Sequence, residues 1–188
     1  MTPCTFTPGS WEASDFRFAW SPRVRSLAKF AFTQEPDCIV NGPNGEDFDY
    51  VSMLTNETFT PGVTLKTTCA FEKFGAPLLV FSGDLRAQPD GTYRFGRHFE
   101  VVAYEDGFNL WRLEPDGDTL AVTKLLGVHF PVTAGKPHQL AVKITADRLT
   151  ITLDEHTAEL PVADIPSVFH AGITACEGIN RFYDFTVE

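Results

Sequence analysis

The chain has 188 residues, enough for one sizeable core, and β-sandwiches of this length commonly form one domain. Apolar residues make up 43% and charged ones 21%, close to globular averages, which excludes a disordered or fibrous chain. A formal charge of −10 argues against nucleic acid or an anionic lipid surface as partner, because both recruit faces rich in Lys and Arg.

Seventeen Phe, with many Thr and Val, favour strands over helices, since aromatic and β-branched side chains pack well on a pleated surface. No apolar run reaches the roughly 18–20 residues of a membrane span. The start, MTPCTFTPGSWEASDF, lacks a basic region followed by an apolar core, so no secretory signal is expected and a cytoplasmic location is. The Asn56-Glu57-Thr58 sequon matters only if the chain is secreted.

Residues 1–40 are the least regular part of a single domain spanning 1–188. Phe16–Trp20 alternates as a strand, Arg23, Arg25 and Lys29 form a small solvated basic patch, and 23–31 reads as a short helical connector. Cys4, Cys38, Cys69 and Cys176 show no CxxC spacing, hence no zinc or redox signature. Turn signals then recur at short intervals, as in Pro61-Gly62, Pro89-Asp90-Gly91 and Pro115-Asp116-Gly117. The runs between them alternate with period two, for example 63–71 and 140–144, which is the mark of antiparallel sheets with one buried face. The segment Phe71-Glu-Lys-Phe-Gly-Ala-Pro77 reads as a plain strand end and turn. A second short helix is expected at 162–168. Some ten to thirteen strands imply two packed sheets, because one open sheet of that size curls or splits.

The stretch RHFEVVAYEDGFNLWRL, 97–113, reads as a hairpin. With Asp106-Gly107 as a two-residue turn, Glu105 pairs with Phe108. One face then holds Phe99, Val101, Ala103, Phe108 and Leu110, with Glu105 and Arg112 as its charged members. The other holds His98, Glu100, Val102, Tyr104, Asn109, Trp111 and Leu113. A sugar ring offers an apolar C–H face to Trp or Tyr and hydroxyls to carboxylate, amide and imidazole, so His98, Glu100, Tyr104, Asn109 and Trp111 are candidate saccharide contacts. The plainer alternative has Trp111 and Tyr104 packed beneath a loop and His98 paired with Glu100. Glu177, Asn180 and Arg181 gather in a second loop with ligand-binding potential, or Gly178 supplies a positive φ there and Arg181 pairs with Glu177.

The tail GKPHQLAVKITADRLTITLDEHTAELPVADIPSVFHAGITACEGINRFYDFTVE is similar to the closing strands of concanavalin A-like lectin/glucanase domains, especially the laminin-G-like and sugar-hydrolase-associated branches. The matching pieces are His138–Ile144, 149–153, 170–176 and 182–187, and the likeness of strand order extends over 48–187. It implies an all-β, two-sheet antiparallel jelly-roll sandwich whose concave sheet takes an oligosaccharide or glycan. Alternation independently assigns Leu140, Val142, Ile144, Leu149, Ile151, Leu153, Phe169, Ala171, Ile173, Ala175, Phe185 and Val187 to the core.

The resemblance also implies a possible glycoside hydrolase with Glu100 as one catalytic carboxylate. The Glu-x-Asp-x-x-Glu strand of the β-glucanase branch is missing, however, and Glu100 and Glu105 are an odd number apart, so a regular strand turns them to opposite faces. Glu72, Asp184 and Glu177 are the nominal partners of Glu100. No legume-lectin metal loop is found. Asp84, Asp90, Asp116 and Asp118 sit in turn-like segments and read as solvated carboxylates, so neither a metal nor another cofactor is expected. A non-catalytic protein-interaction sandwich remains a third alternative, and nothing in the sequence sets the oligomeric state.

Overall fold

A computed structural model of the protein describes residues 4–6, 16–20, 32–41, 51–72, 74–117 and 119–188. The basic patch, the helix expected at 23–31 and Asp118 lie outside these residues. Eighteen strands and no helix occur among the described residues, arranged as two nine-stranded sheets.

The back sheet runs β15 (His156–Pro161), β14 (Arg148–Leu153), β13 (His138–Ile144), β6 (Val63–Glu72), β17 (Ile179–Phe182), β4 (Ile39–Asn41) and β3 (Phe32–Gln34), with β18 (Phe185–Val187) on β6 and β1 (Cys4–Phe6) on β18. The front sheet runs β12 (Thr119–Val128), β11 (Gly107–Asp116), β10 (His98–Tyr104), β7 (Leu78–Ser82), β16 (His170–Ala175), β5 (Val51–Thr55), β2 (Phe16–Trp20), β9 (Tyr93–Phe95) and β8 (Leu85–Ala87).

The two sheets enclose one apolar core to which both contribute. Leu140, Val142, Ile144, Leu149, Ile151 and Leu153 come from the back sheet, and Phe81, Phe99, Val101, Leu110 and Ile173 from the front. Phe81 lies parallel to Phe99 at 4.9 Å between centroids and tilts against Phe169 at 5.4 Å. Such pairs add about 0.5–1.5 kcal/mol each beyond the area they bury.

Two expectations are corrected here. The helix expected at 162–168 is absent: Pro166 has no N–H to give and disfavours helical backbone at Ile165, while the Val162 N–H donates to Asp147 O at 2.8 Å. The strand expected at 182–187 is divided between β17 and β18. Between them the Tyr183 N–H donates to Thr68 O at 2.8 Å, and the Asp184 carboxylate accepts the Thr68 N–H at 2.6 Å and its hydroxyl at 2.8 Å.

The candidate hairpin forms with a two-residue slip. Tyr104, not Glu105, opens the pairing, opposite Gly107, and Glu100 faces Trp111. Positive φ occurs in this connection only at Gly107, at 120°, so Glu105-Asp106 forms the turn and glycine follows it, as in three-residue hairpin loops, instead of both central residues being left-handed. A slip of two leaves every side chain on its expected face, whereas a slip of one would have exchanged the faces.

The outer face of the front sheet is only half open. Just Gly96 and Arg97 separate β9 from β10, yet β9 joins the sheet beside β2, five places from β10. Flat strands would set these ends about 24 Å apart, while three Cα steps reach about 11 Å. The sheet therefore curls and the β8–β9 hairpin folds across its outer face. Ala19, Leu54, Val80 and Phe95 fill the space beneath it, packed by Leu85 and Tyr93. The crossing is pinned where Gly96 N–H donates to Asp84 O at 2.7 Å and the Ser82 hydroxyl to Arg97 O at 2.7 Å.

Candidate functional site

The uncovered half of that face forms a groove of about 410 Å³. Glu100, Val102 and Tyr104 of β10, with Asn109, Trp111 and Leu113 of β11, make its floor, and the β6–β7 connection and the Cys176-Glu177 turn make its border. A one-residue irregularity in the β11–β12 ladder, where Leu110 faces Leu126 but Trp111 faces Lys124, brings the Lys124 ammonium to 5.6 Å from the Trp111 ring centroid. β-bulges characteristically re-aim side chains in this way.

Glu100 is buried, with 6% of its surface exposed. Among the described residues its polar contact is His98 Nε2, 3.4 Å from Oε1. This is longer than a charge-assisted hydrogen bond and leaves most of the acceptor capacity of the carboxyl group unused. His98 itself is fully buried. Its ring stacks on Phe95 at 4.3 Å and its Nδ1 lies 3.0 Å from Gly96 O, so the covering hairpin takes it out of the groove and places it behind Glu100.

Tyr104 and Asn109 interact at the hairpin end. Burial, then the Asp106 charge, pushes the Tyr104 phenol above its ordinary range, and the hydrogen bond from Asn109 partly offsets this. The Tyr104 hydroxyl is 3.4 Å from His129 Nδ1, which in turn lies 2.9 Å from Asp106 Oδ2. Asn109 Oδ1 is buried without a hydrogen-bond partner.

The second candidate loop divides. Glu177 borders the same groove as Glu100 and accepts a hydrogen bond from the Cys176 thiol. Asn180 is fully buried and donates to Cys176 O at 2.8 Å and Glu177 O at 3.1 Å, tying the turn in which Gly178 has φ 68°. Arg181 pairs with Glu72 at 2.6 Å, not with Glu177, and does not line the groove. Of the three nominal partners of Glu100, Glu72 is thus held by Arg181 and Asp184 by Thr68, and Glu177 alone shares its groove.

Glu105 lines the groove too, although strand alternation assigns it to the opposite face from Glu100. The ladder ends at Tyr104, and alternation does not govern a turn residue. Phe74, in a segment whose sequence reads as a plain strand end and turn, is also a groove residue and is 84% exposed. Its signal was its position, an aromatic just before a Gly-Ala-Pro turn.

A larger depression of about 720 Å³ lies beside Arg97, Glu114 and Asp164. Its charges pair with one another: Asp164 Oδ2 is 3.0 Å from Arg97 and 3.2 Å from Arg112, and Glu114 lies within ion-pair distance of both arginines. Asp84 pairs with Arg86 at 3.2 Å, and Asp90 accepts from the Thr92 hydroxyl at 2.6 Å. Glu35, Asp37 and Cys38 offer ligand atoms within 4.8 Å of one another. Burial and the neighbouring carboxylates push the Cys38 thiol up to about 11.

No protein-family model and no curated protein sequence matches this chain. Solved structures do resemble it. The carbohydrate-binding module CBM66 from Bacillus subtilis superimposes with a TM-score of 0.66 at 15% identity, covering 89% of this chain and 98% of that one. The exoplasmic/lumenal domain of VIP36 in its Ca2+/Man3GlcNAc-bound form gives 0.65 at 12% identity, covering 97% and 87%. A glycoside hydrolase family 16 endo-glucanase from Bacteroides ovatus gives 0.59 at 12% identity, covering 100% and 94%. The chain has the concanavalin A-like jelly-roll sandwich fold that these share.

Proposed function

We propose that the chain binds an oligosaccharide in the open half of the front sheet's outer face, with a sugar ring on Trp111 and hydroxyls donated to Glu100. Glu100 carries this reading. A buried carboxylate that lacks donors is costly, and here the groove gives a ligand's hydroxyls access to it beside an aromatic platform. The resemblance to a carbohydrate-binding module and to a mannoside-bound lumenal domain supports the same ligand class.

Trp111→Ala tests the platform. Loss of ring contact removes about 1.5–2.5 kcal/mol of binding, roughly 10–70-fold in Kd, and because Trp111 also packs against the apolar cluster on this face a thermal melt of the variant is recorded beside the titration. Equal affinity of variant and native chain for the best-bound oligosaccharide would contradict the assignment.

The carboxylates also set the ligand's charge. Glu100, Glu105 and Glu177 all line the groove, so a uronate or sulfate group placed there meets like charge. Two unit charges about 4 Å apart near a protein surface repel by about 4 kcal/mol before screening. Neutral oligosaccharides should bind at least about tenfold tighter than their sulfated or uronate counterparts at low salt, with the gap narrowing as salt rises. Preference for the anionic series would overturn this.

A second reading, hydrolysis of the bound glycan, is favoured by the shared groove of Glu100 and Glu177. A glycosidase needs carboxyls about 5–5.5 Å apart for retention or about 6.5–9.5 Å for inversion. Mass spectrometry of each bound glycan after incubation decides between the two readings, since cleavage abolished by Glu100→Gln and by Glu177→Gln would establish the enzyme.

A further inference from the structure

We infer that Phe74 is a strained aromatic lip of the groove, whose ring stacks on the saccharide that Trp111 supports. This inference rests on the saccharide reading above and names a further residue that sets affinity for a neutral sugar ring.

Two independent observations single out Phe74. Among the described residues only Phe74 and Asp154 combine a side chain with positive φ, at 66° and 53°. Asp tolerates that conformation because its short polar side chain can bond locally, and Asp154 accepts from the Gln139 N–H at 2.9 Å and lies 2.7 Å from His138 Nδ1. An aromatic residue has no such compensation, so Phe74 is a genuine outlier. The second observation is its exposure. Phe74 is 84% exposed, against 50% for Val168 and 40% for Val122, the other large exposed apolar side chains among the described residues. Packing within the chain therefore does not reward the strain.

The surroundings hold the turn in place. Gly75 N–H donates to Glu72 O at 2.9 Å, closing the turn with Phe74 at its third position, where a left-handed residue is ordinarily glycine. A Cβ on Gly75 would collide with Ile179 O and lie 2.8 Å from Asn180 Oδ1, so the start of β17 presses directly on the turn. Glu72 is tied by Arg181 at 2.6 Å. This buried anchor presents one aromatic ring to the groove that holds Trp111, Tyr104 and Glu100. Strain held rigidly at a ligand cleft, together with a solvated apolar ring, is the pattern of a residue retained for binding. The ring matches the C–H face of a neutral pyranose, as Trp111 does, while the groove carboxylates take hydroxyls.

The test is Phe74→Gly and Phe74→Leu, each measured by thermal unfolding and by titration with whichever neutral gluco-, galacto- or manno-oligosaccharide binds the native chain most tightly. Glycine releases the backbone, so melting temperature rises by about 1–4 °C while affinity falls about 5–30-fold. Leucine keeps the strain and loses the ring, so affinity falls with no thermal gain. A Phe74→Gly protein that melts lower than native would make Phe74 a structural residue and overturn the inference. Unchanged affinity in Phe74→Gly, in a chain that Trp111→Ala weakens, would overturn this inference alone. Failure of the native chain to bind any saccharide would overturn the saccharide reading and the role of Phe74 with it.

Discussion

Glu100→Gln lowers oligosaccharide affinity about 30–150-fold and leaves the fold as stable as the native chain or more so. A hydrogen bond from a hydroxyl to a charged acceptor is worth about 1.5–3 kcal/mol against about 0.5–1.5 for a neutral one, so losing the charge from two of them costs about 2–3 kcal/mol. Stability is kept because, among the described residues, the 3.4 Å approach of His98 is the one polar contact of the carboxyl group, so an amide of the same shape gives up little. Residues whose replacement stabilises the fold while abolishing binding are characteristic of functional sites. The paired measurement is a thermal melt and a titration on one sample. A variant that is destabilised by more than about 1 kcal/mol and keeps its affinity would mark Glu100 and His98 as a structural pair.

Gly107→Ala is the substitution expected to damage the fold most. Gly107 has φ 120°, and a Cβ there would sit 1.9 Å from Val128 O and 3.2 Å from His129 Cα. Both contacts are backbone, so β12 must shift or the hairpin must open. Strain and overpacking together cost about 3 kcal/mol or more, a fall of about 6–12 °C in Tm for a chain of this size. Gly135→Ala is the control, since Gly135 has φ 76° and nothing within 4 Å of the added carbon. It should cost only about 1 kcal/mol of backbone strain. The difference isolates the close approach of β12, and equal losses in the two variants would remove that explanation. Because Gly107 joins the two strands that carry Glu100 and Trp111, Gly107→Ala should also weaken ligand binding in whatever fraction remains folded.

Alternation made the sandwich and its core legible. The strands β13 and β14 place their apolar residues at every second position, and Leu140, Val142, Ile144, Leu149, Ile151 and Leu153 are buried as that pattern requires. The hairpin faces survived an incorrect turn because the error in register was even. What alternation cannot see is a segment folding over a sheet from elsewhere in the chain. His98 has the parity of a groove residue but lies under Phe95, because the β8–β9 hairpin crosses that half of the face. Nor does it govern residues beyond the ends of strands, which is why Glu105 joined the groove and Phe74 was missed. Asn180 and Arg181 sit in a polar loop sequence that suits either a ligand or the loop's own backbone. Here Asn180 ties the turn and Arg181 reaches across the back sheet to Glu72.

The most direct test of the groove as a saccharide site is the Trp111 indole N–H resonance, assigned through Trp111→Phe and followed during titration with neutral oligosaccharides. Trp20 serves as the internal reference, since its indole N–H is already donated to the Thr92 hydroxyl at 3.0 Å, away from the groove. The proposed site predicts a saturable shift of the Trp111 signal, with the Trp20 signal unmoved. Saturable binding that leaves the Trp111 resonance in place would put the ligand elsewhere on the molecule and contradict the account.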